Sequence, residues 1–264
     1  RISPRLLWRE NTDHLATLTT APCAFRQLAS KDWTISGTKV FNSNNEGVPY
    51  FAAVALGSDP NDLDVAYSDM ELFNESIVVS GKSNSVYYTN GTAAWTTFTV
   101  GTSDSGPHPM TVFADKLYYL RSSNILYSIT TAWAVSAVLL TLGATDSTTQ
   151  QIIWLRAASD RIWIGTINRQ GGKAHIYEWD GVSSQVTKSY RLQSSGALAC
   201  VIKDDVPWVM DANGRLLVFT GANFKEVARL PIADNLYLVN ATSDRNNRFI
   251  HPNGMTLINK RINL

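Results

Sequence analysis

Residues 198–230 read LACVIKDDVPWVMDANGRLLVFTGANFKEVARL. Four apolar runs stand in this stretch, at 198–203, 206–210, 215–219 and 224–230. They are rich in Val, Leu and Ile, as strands are. Asp204-Asp205, Asn213-Gly214 and Gly221-Ala222-Asn223 separate them. Asn-Gly between two apolar runs is a strong two-residue hairpin signal. The stretch therefore predicts an antiparallel, four-stranded meander.

The same module recurs at a spacing of roughly 40 residues, the period of a propeller blade. Its marker is an acidic or amide residue followed three positions later by a bulky apolar one. The pairs are Asp32 to Ile35, Asn74 to Ile77, Asp115 to Tyr118, Asp160 to Trp163, Asp205 to Trp208 and Asn246 to Phe249. Short strands repeated at this period are the signature of a β-propeller. The expected fold is all-β: a single-domain, six-bladed β-propeller of four-stranded antiparallel blades. The blades fall at 22–56, 63–100, 109–140, 151–191 and 197–230. The sixth combines 236–264 with 5–19.

Within the second blade the inner strand is either 63–67 or the run ending at Phe73. In the third, 134–140 is expected to be the outer strand. The last unit stops one outer strand short. The N-terminal segment aligns with the second half of a blade, Arg5-Leu6-Leu7-Trp8 matching Arg215-Leu216-Leu217-Val218. Pairing the two ends would close the ring and remove two open sheet edges. Both 5–8 and 255–262 read as third strands, so seven blades or part of a longer propeller is the alternative.

Hydrophobic residues make up 44% of the chain and there are eight Trp, ample for a buried core. Lys plus Arg number 23 against 22 Asp plus Glu, and no basic tract occurs. That balance gives no electrostatic support to a nucleic-acid partner. The longest mostly apolar stretch, 132–144, is too short to span a bilayer, so no membrane insertion is expected. The chain begins with Arg1, which reads as a processed product or a piece of something longer. Cys23 and Cys200 lie in apolar runs and read as two buried free thiols. A bridge is open to them only if the ring brings their strands together.

The recurring Asp and Asn residues read as turn formers rather than ligands, because Asx side chains bond their own backbone. Asp59, Asp62 and Asp64 cluster, but the spacing of a helix–loop–helix calcium site is missing. Ser103, Ser105, Asp104 and His108 share one loop, without the strand–turn–helix elbow that a nucleophilic serine needs. The four His fall in different repeats, with no zinc spacing. No cofactor motif is present. Sequons occur at Asn74, Asn90 and Asn240, as chance allows in a Ser/Thr/Asn-rich chain.

Two phrases carry a resemblance. Asp160-Arg161-Ile162-Trp163-Ile164-Gly165-Thr166, with Ile176-Tyr177-Glu178-Trp179-Asp180-Gly181, resembles blades of bacterial sensor and secreted propellers. The run from Ile77 through Tyr88-Thr89-Asn90-Gly91 to Trp95-Thr96-Thr97-Phe98 resembles propeller blades in tail proteins of bacteriophages. The sialidase motif Ser-x-Asp-x-Gly-x-Thr-Trp is not matched at Tyr88, Asn90, Thr92 and Ala94, so no catalytic residue is carried over.

The expected role is a non-enzymatic structural or protein-docking module in a virion or another extracellular assembly, with other structural proteins as partners. A glycan-binding lectin and a glycoside hydrolase or lyase are the alternatives. Hydrolysis would need a pair of carboxylates, which the six scattered Glu do not identify. The partner face is expected where the second-to-third-strand loops and the connections between blades lie. Asp59, Asp62, Asp104, His108, Asp146, Arg169 and Asp211 are its candidate residues.

Overall fold

The computed structural model describes residues 8–10, 22–28, 31–43, 51–53, 60–64, 67–101, 106–121, 124–142, 149–229, 249–250 and 255–257. After β1 (Trp8–Glu10), five four-stranded antiparallel sheets follow in chain order. The first is β2 (Pro22–Leu28), β3 (Lys31–Ser36), β4 (Lys39–Ser43) and β5 (Phe51–Ala53). The second is β6 (Met70–Phe73), β7 (Ser76–Ser80), β8 (Ser85–Thr89) and β9 (Thr96–Thr99). The third is β10 (Met110–Phe113), β11 (Lys116–Arg121), β12 (Ile125–Ile129) and β13 (Leu140–Thr141). The fourth is β14 (Gln150–Ala157), β15 (Ile162–Asn168), β16 (His175–Trp179) and β17 (Lys188–Arg191). The fifth is β18 (Ala197–Lys203), β19 (Val206–Asp211), β20 (Arg215–Phe219) and β21 (Phe224–Arg229). A further sheet orders β1, β23 (Met255–Leu257) and β22 (Phe249–Ile250), with Arg9 opposite Thr256. No helix occurs among the described residues.

The first strands of successive sheets pack side by side, β2 by β6, β6 by β10, β10 by β14 and β14 by β18. The core lies between the sheets. Strand side chains alternate between two faces, so a central strand feeds two interfaces at once. Tyr118 and Leu120 of β11 pack toward the fourth sheet, while Leu117 and Tyr119 pack toward the second. Ile162 and Ile164 of β15 face the third sheet, and Trp163 faces the fifth. This two-sided burial explains why these strands read as continuous apolar runs. Trp33, Trp154, Trp163 and Trp179 are fully buried. Gly165 is required by one of them, because a Cβ there would overlap the Trp154 indole.

The tight turns behave as their residues dictate. A two-residue β-hairpin of the favoured twist needs positive φ at both central positions. Asn74 and Glu75 (φ 49° and 57°), Ala114 and Asp115 (46° and 56°) and Asp204 and Asp205 (50° and 66°) supply it. Asp32 differs from this pattern. It lies inside β3 opposite Gln27, so it is a strand residue and not a turn residue. Asn246 lies outside the described residues.

The inner strand of the second sheet is the later of the two expected runs, Met70–Phe73. The third sheet departs from expectation. Its outer strand is only Leu140–Thr141, plus an isolated bridge between Ile129 and Val135. Trp133, at φ 59°, stacks on Tyr88 of the second sheet with ring centroids 3.6 Å apart. Asn74 Nδ2 holds Thr131 O at 3.0 Å. The Ser136 hydroxyl accepts from Ser128 N at 2.9 Å, taking a ladder position. Thr131 and Trp133 are thus drawn toward the neighbouring sheet, while Ser136 N and Leu139 N still donate to Ser128 O and Leu126 O of β12 at 2.8 and 2.9 Å, so the segment follows β12 only irregularly.

Candidate functional site

Antiparallel strands place the second-to-third-strand loops and the connections between sheets at one end of every sheet. Four of the seven sequence-derived candidates, Asp62, His108, Arg169 and Asp211, lie among the described residues, in these loops or at their edges. Asp59, Asp104 and Asp146 lie outside them.

Asp62 sits in the connection before β6. Its Oδ1 accepts from Tyr87 Oη at 2.6 Å and its Oδ2 from Ser83 Oγ at 2.5 Å. It rests over Gly81, where any Cβ would collide with the carboxylate. Burial and the Asp62 hydrogen bond push the Tyr87 phenol up to about 12. His108, before β10, is fully buried. Its Nδ1–H donates to Leu120 O at 2.9 Å, and its ring stacks on Tyr119 at 5.4 Å. Its backbone N–H donates to Tyr67 O at 2.8 Å, tying two connections together.

Asp211 closes the β19–β20 hairpin. Its Oδ1 accepts from Asn213 N at 3.0 Å and Arg215 N at 2.9 Å, and its Oδ2 pairs with Arg215 Nη2 at 2.6 Å. An Asx side chain capping its own turn is the behaviour its residue type favours. Arg169 is different, because its guanidinium is exposed. Its Nε donates to Gln151 Oε1 at 2.7 Å. Asp62 and His108 belong to the sector of the second and third sheets, and Arg169 and Asp211 to that of the fourth and fifth.

A second polar set lies on the first strands and was not singled out from the sequence. Arg26, Glu71, Thr111 and Arg156 occupy matching positions, each across from a second-strand residue, Trp33, Val78, Tyr118 and Trp163. Arg26 forms a fork with Glu71, Nε to Oε2 at 3.0 Å and Nη2 to Oε1 at 2.5 Å. Burial alone would lower the Arg26 pKa, but the Glu71 carboxylate outweighs it and the net shift is upward. Asp69 is fully buried. Its two oxygens cap Met70 N at 2.9 Å and, in the next sheet, Met110 N at 3.1 Å. Arg156 Nη1 lies 3.6 Å from Asp69 Oδ2. Thr111 Oγ1 accepts from Ala157 N at 3.0 Å. The available signal was a lone charge inside an apolar run, as in Ile152-Ile153-Trp154-Leu155-Arg156. Arg156 is satisfied only in part: Nη1 donates to Leu155 O at 2.6 Å and faces Asp69, while the buried Nη2 has no hydrogen-bond partner among the described residues.

Cys200 is buried on β18, and burial pushes its thiol up to about 12, against a lesser lowering by Arg156. A thiol held so far from its thiolate is a poor nucleophile. The side chain of Cys23 lies outside those described. Among the described residues, no three His, Cys, Asp or Glu side chains gather as metal ligands would. Chemically, the arrangement fixes loops in shape and joins sheets.

No family model and no curated protein matches this chain. Its fold is similar to that of many solved structures. The WD40 domain of Pan2 from Neurospora crassa aligns with a TM-score of 0.60 at 11% identity, over 92% of this chain and 77% of that one. An N-terminal BBS1 fragment, solved in complex with ARL6, aligns with a TM-score of 0.60 at 16% identity, over 92% and 79%. The extracellular domain of a one-component system from B. thetaiotaomicron aligns with a TM-score of 0.59 at 12% identity. That match covers 90% of this chain but only 38% of the other. At such identities the likeness shows the fold alone. The chain is a β-propeller repeat protein, all-β, with four-stranded antiparallel sheets.

Proposed function

We propose that the chain is a six-bladed propeller whose ends meet in the β1–β23 pair, and that it serves as a non-enzymatic protein-docking module. The setting we favour is a virion or another extracellular assembly. The observation that carries this reading is the use made of reactive side chains on the loop face. Asp62 accepts from Tyr87 of β8 and from Ser83 in the β7–β8 loop, His108 Nδ1 bonds Leu120 O of β11, and Asp211 caps its own hairpin. Residues held that way give a connection a fixed shape, and rigid loops on a stiff scaffold suit recognition. The same fold binds a protein in the BBS1–ARL6 complex, which supports the reading by analogy of fold. The extracellular setting of the B. thetaiotaomicron domain and the tail-protein resemblance of residues 77–98 support the location.

Lysine-directed cross-linking of the native assembly, read by mass spectrometry, tests the proposal. Lys82 and Lys173 mark the loop face, and Lys116 and Lys203 the opposite one. Links to other chains should concentrate on Lys82 and Lys173. Links concentrated on Lys116 and Lys203, or none to other chains, would contradict it.

A further inference from the structure

The loop face above the fourth and fifth sheets carries an uncompensated positive crest. Arg169 and Lys173 flank the β15–β16 hairpin, and both are exposed. Arg191 stands opposite His175 at the end of β17, also exposed. Strand period places Lys173 and Arg191 on the same side of the sheet. The crest is held in place by neutral acceptors. Arg169 Nε donates to Gln151 Oε1 at 2.7 Å, and Lys173 Nζ donates to Gln193 O. Among the described residues, no carboxylate pairs with any of the three cations. Asp211, at the β19–β20 hairpin on this face, is taken by Arg215 at 2.6 Å. Asp160, Asp180 and Asp205 lie in turns at the opposite end of the strands. Arg161, Lys188, Lys203 and Lys225 stand at that same end and balance the acids there, so the excess positive charge of this sector lies on the loop face, although the whole chain is near neutral at +1.

The centre of the hairpin is open. Gly171, at φ 74°, has nothing within 4 Å of where a Cβ would stand. Asn168 Oδ1 fixes the turn by accepting from Gln170 N and Gly172 N, each at 3.0 Å. A bare, rigid glycine backbone between two cations lets an extended chain approach closely.

We propose that this crest docks an acidic protein segment, with Arg169, Lys173 and Arg191 meeting its carboxylates. The inference rests on the docking reading and names the chemistry of the partner. Charge complementarity of this kind sets association rate and specificity, and it weakens with salt.

The test uses the full chain and a fluorescein-labelled peptide of 12 residues (about one strand and its flanks) alternating Glu and Ser, read by anisotropy at low and high salt. Binding should weaken by roughly 10-fold or more in the triple variant Arg169→Glu, Lys173→Glu, Arg191→Glu, because steering by fixed charges spans that range. Lys116→Glu, on the opposite face, should leave binding unchanged. The three exposed side chains should be replaceable without a fall in melting temperature. Equal binding by the triple variant would overturn the proposal. So would displacement of the peptide by duplex DNA more effectively than by unlabelled peptide, since the face would then be reading phosphate. If loop-face cross-links persist in the assembly while the acidic peptide fails to bind, only this inference falls and the docking reading stands.

Discussion

The Asn124 carboxamide takes the place of a strand partner for Ile152 in the next sheet. Its Oδ1 accepts from Ile152 N at 3.0 Å, while its Nδ2 donates to Gln150 O at 2.6 Å. Asn124 is 3% exposed and adopts φ 57°, a conformation that asparagine tolerates. One side chain thereby joins the third sheet to the inner strand of the fourth.

Asn124→Ala should cost about 2–3 kcal/mol in urea unfolding, since it leaves a buried N–H and C=O unsatisfied. Asn124→Asp should be at least as damaging, because a carboxylate would face the Gln150 carbonyl. A loss below about 0.5 kcal/mol, the size of an ordinary surface change, would show that the bridge does not hold the sheets together.

Ala114→Gly should stabilise. Ala114 holds φ 46°, where a Cβ costs about 1–2 kcal/mol and glycine pays no such cost. Extra freedom in the unfolded chain returns about 0.4–1 kcal/mol of that gain. A net gain of several tenths to about 1 kcal/mol should appear as a higher melting temperature. A lower one would contradict the turn assignment.

The blades were legible in the sequence because their central strands are apolar on both sides and most of the described tight turns carry Asn, Asp or Gly. Residues 198–230 split into four strands almost as written, with β18 to β21 as the outcome. The outer strand of the third sheet was not legible. Its apolar residues fit a strand locally, and only the Trp133–Tyr88 stack, 45 positions apart in the chain, reveals the diversion. Asp32 misled because an acidic residue three positions before an apolar one fits a strand as well as a turn. The loop-face positions of Asp62, His108, Arg169 and Asp211 were readable from strand order. Their partners were not, since Tyr87 and Leu120 become neighbours only through strand pairing. Arg26–Glu71 and Asp69–Arg156 were invisible for the same reason.

Cys200 should resist aromatic disulfide reagents in the native protein at pH 8. Its thiol is held up at about 12 by burial, so almost no thiolate is present. In a Cys23→Ser variant, labelling should begin only as denaturant unfolds the chain. Rapid labelling without denaturant would place Cys200 outside the core.

The β16–β17 turn should respond to acid. Hydrogen bonds from Ser183 Oγ at 2.5 Å and from Ser183 N and Val182 N hold the Asp180 carboxyl below its ordinary value. A lowered carboxyl stabilises the fold above the unfolded pKa, about 3.9, and loses that contribution as pH falls through the folded value. The stability advantage of wild type over Asp180→Asn should therefore shrink below pH ~4. An advantage that grows in acid would contradict the assigned hydrogen bonds.

The proposed six-bladed ring and its proposed docking face require the two ends of the chain to meet, as the pairing of Arg9 opposite Thr256 has them do. The direct measurement is disulfide formation, mapped by peptide mass spectrometry, in the full chain carrying Arg9→Cys and Thr256→Cys. The control pairs Arg9→Cys with Met255→Cys, one position out of register and on the other sheet face. The closed six-bladed ring predicts a 9–256 bridge under mild oxidation, little or none in the control, and a raised melting temperature on oxidation. Equal bridging in both variants, or none in either, would contradict it.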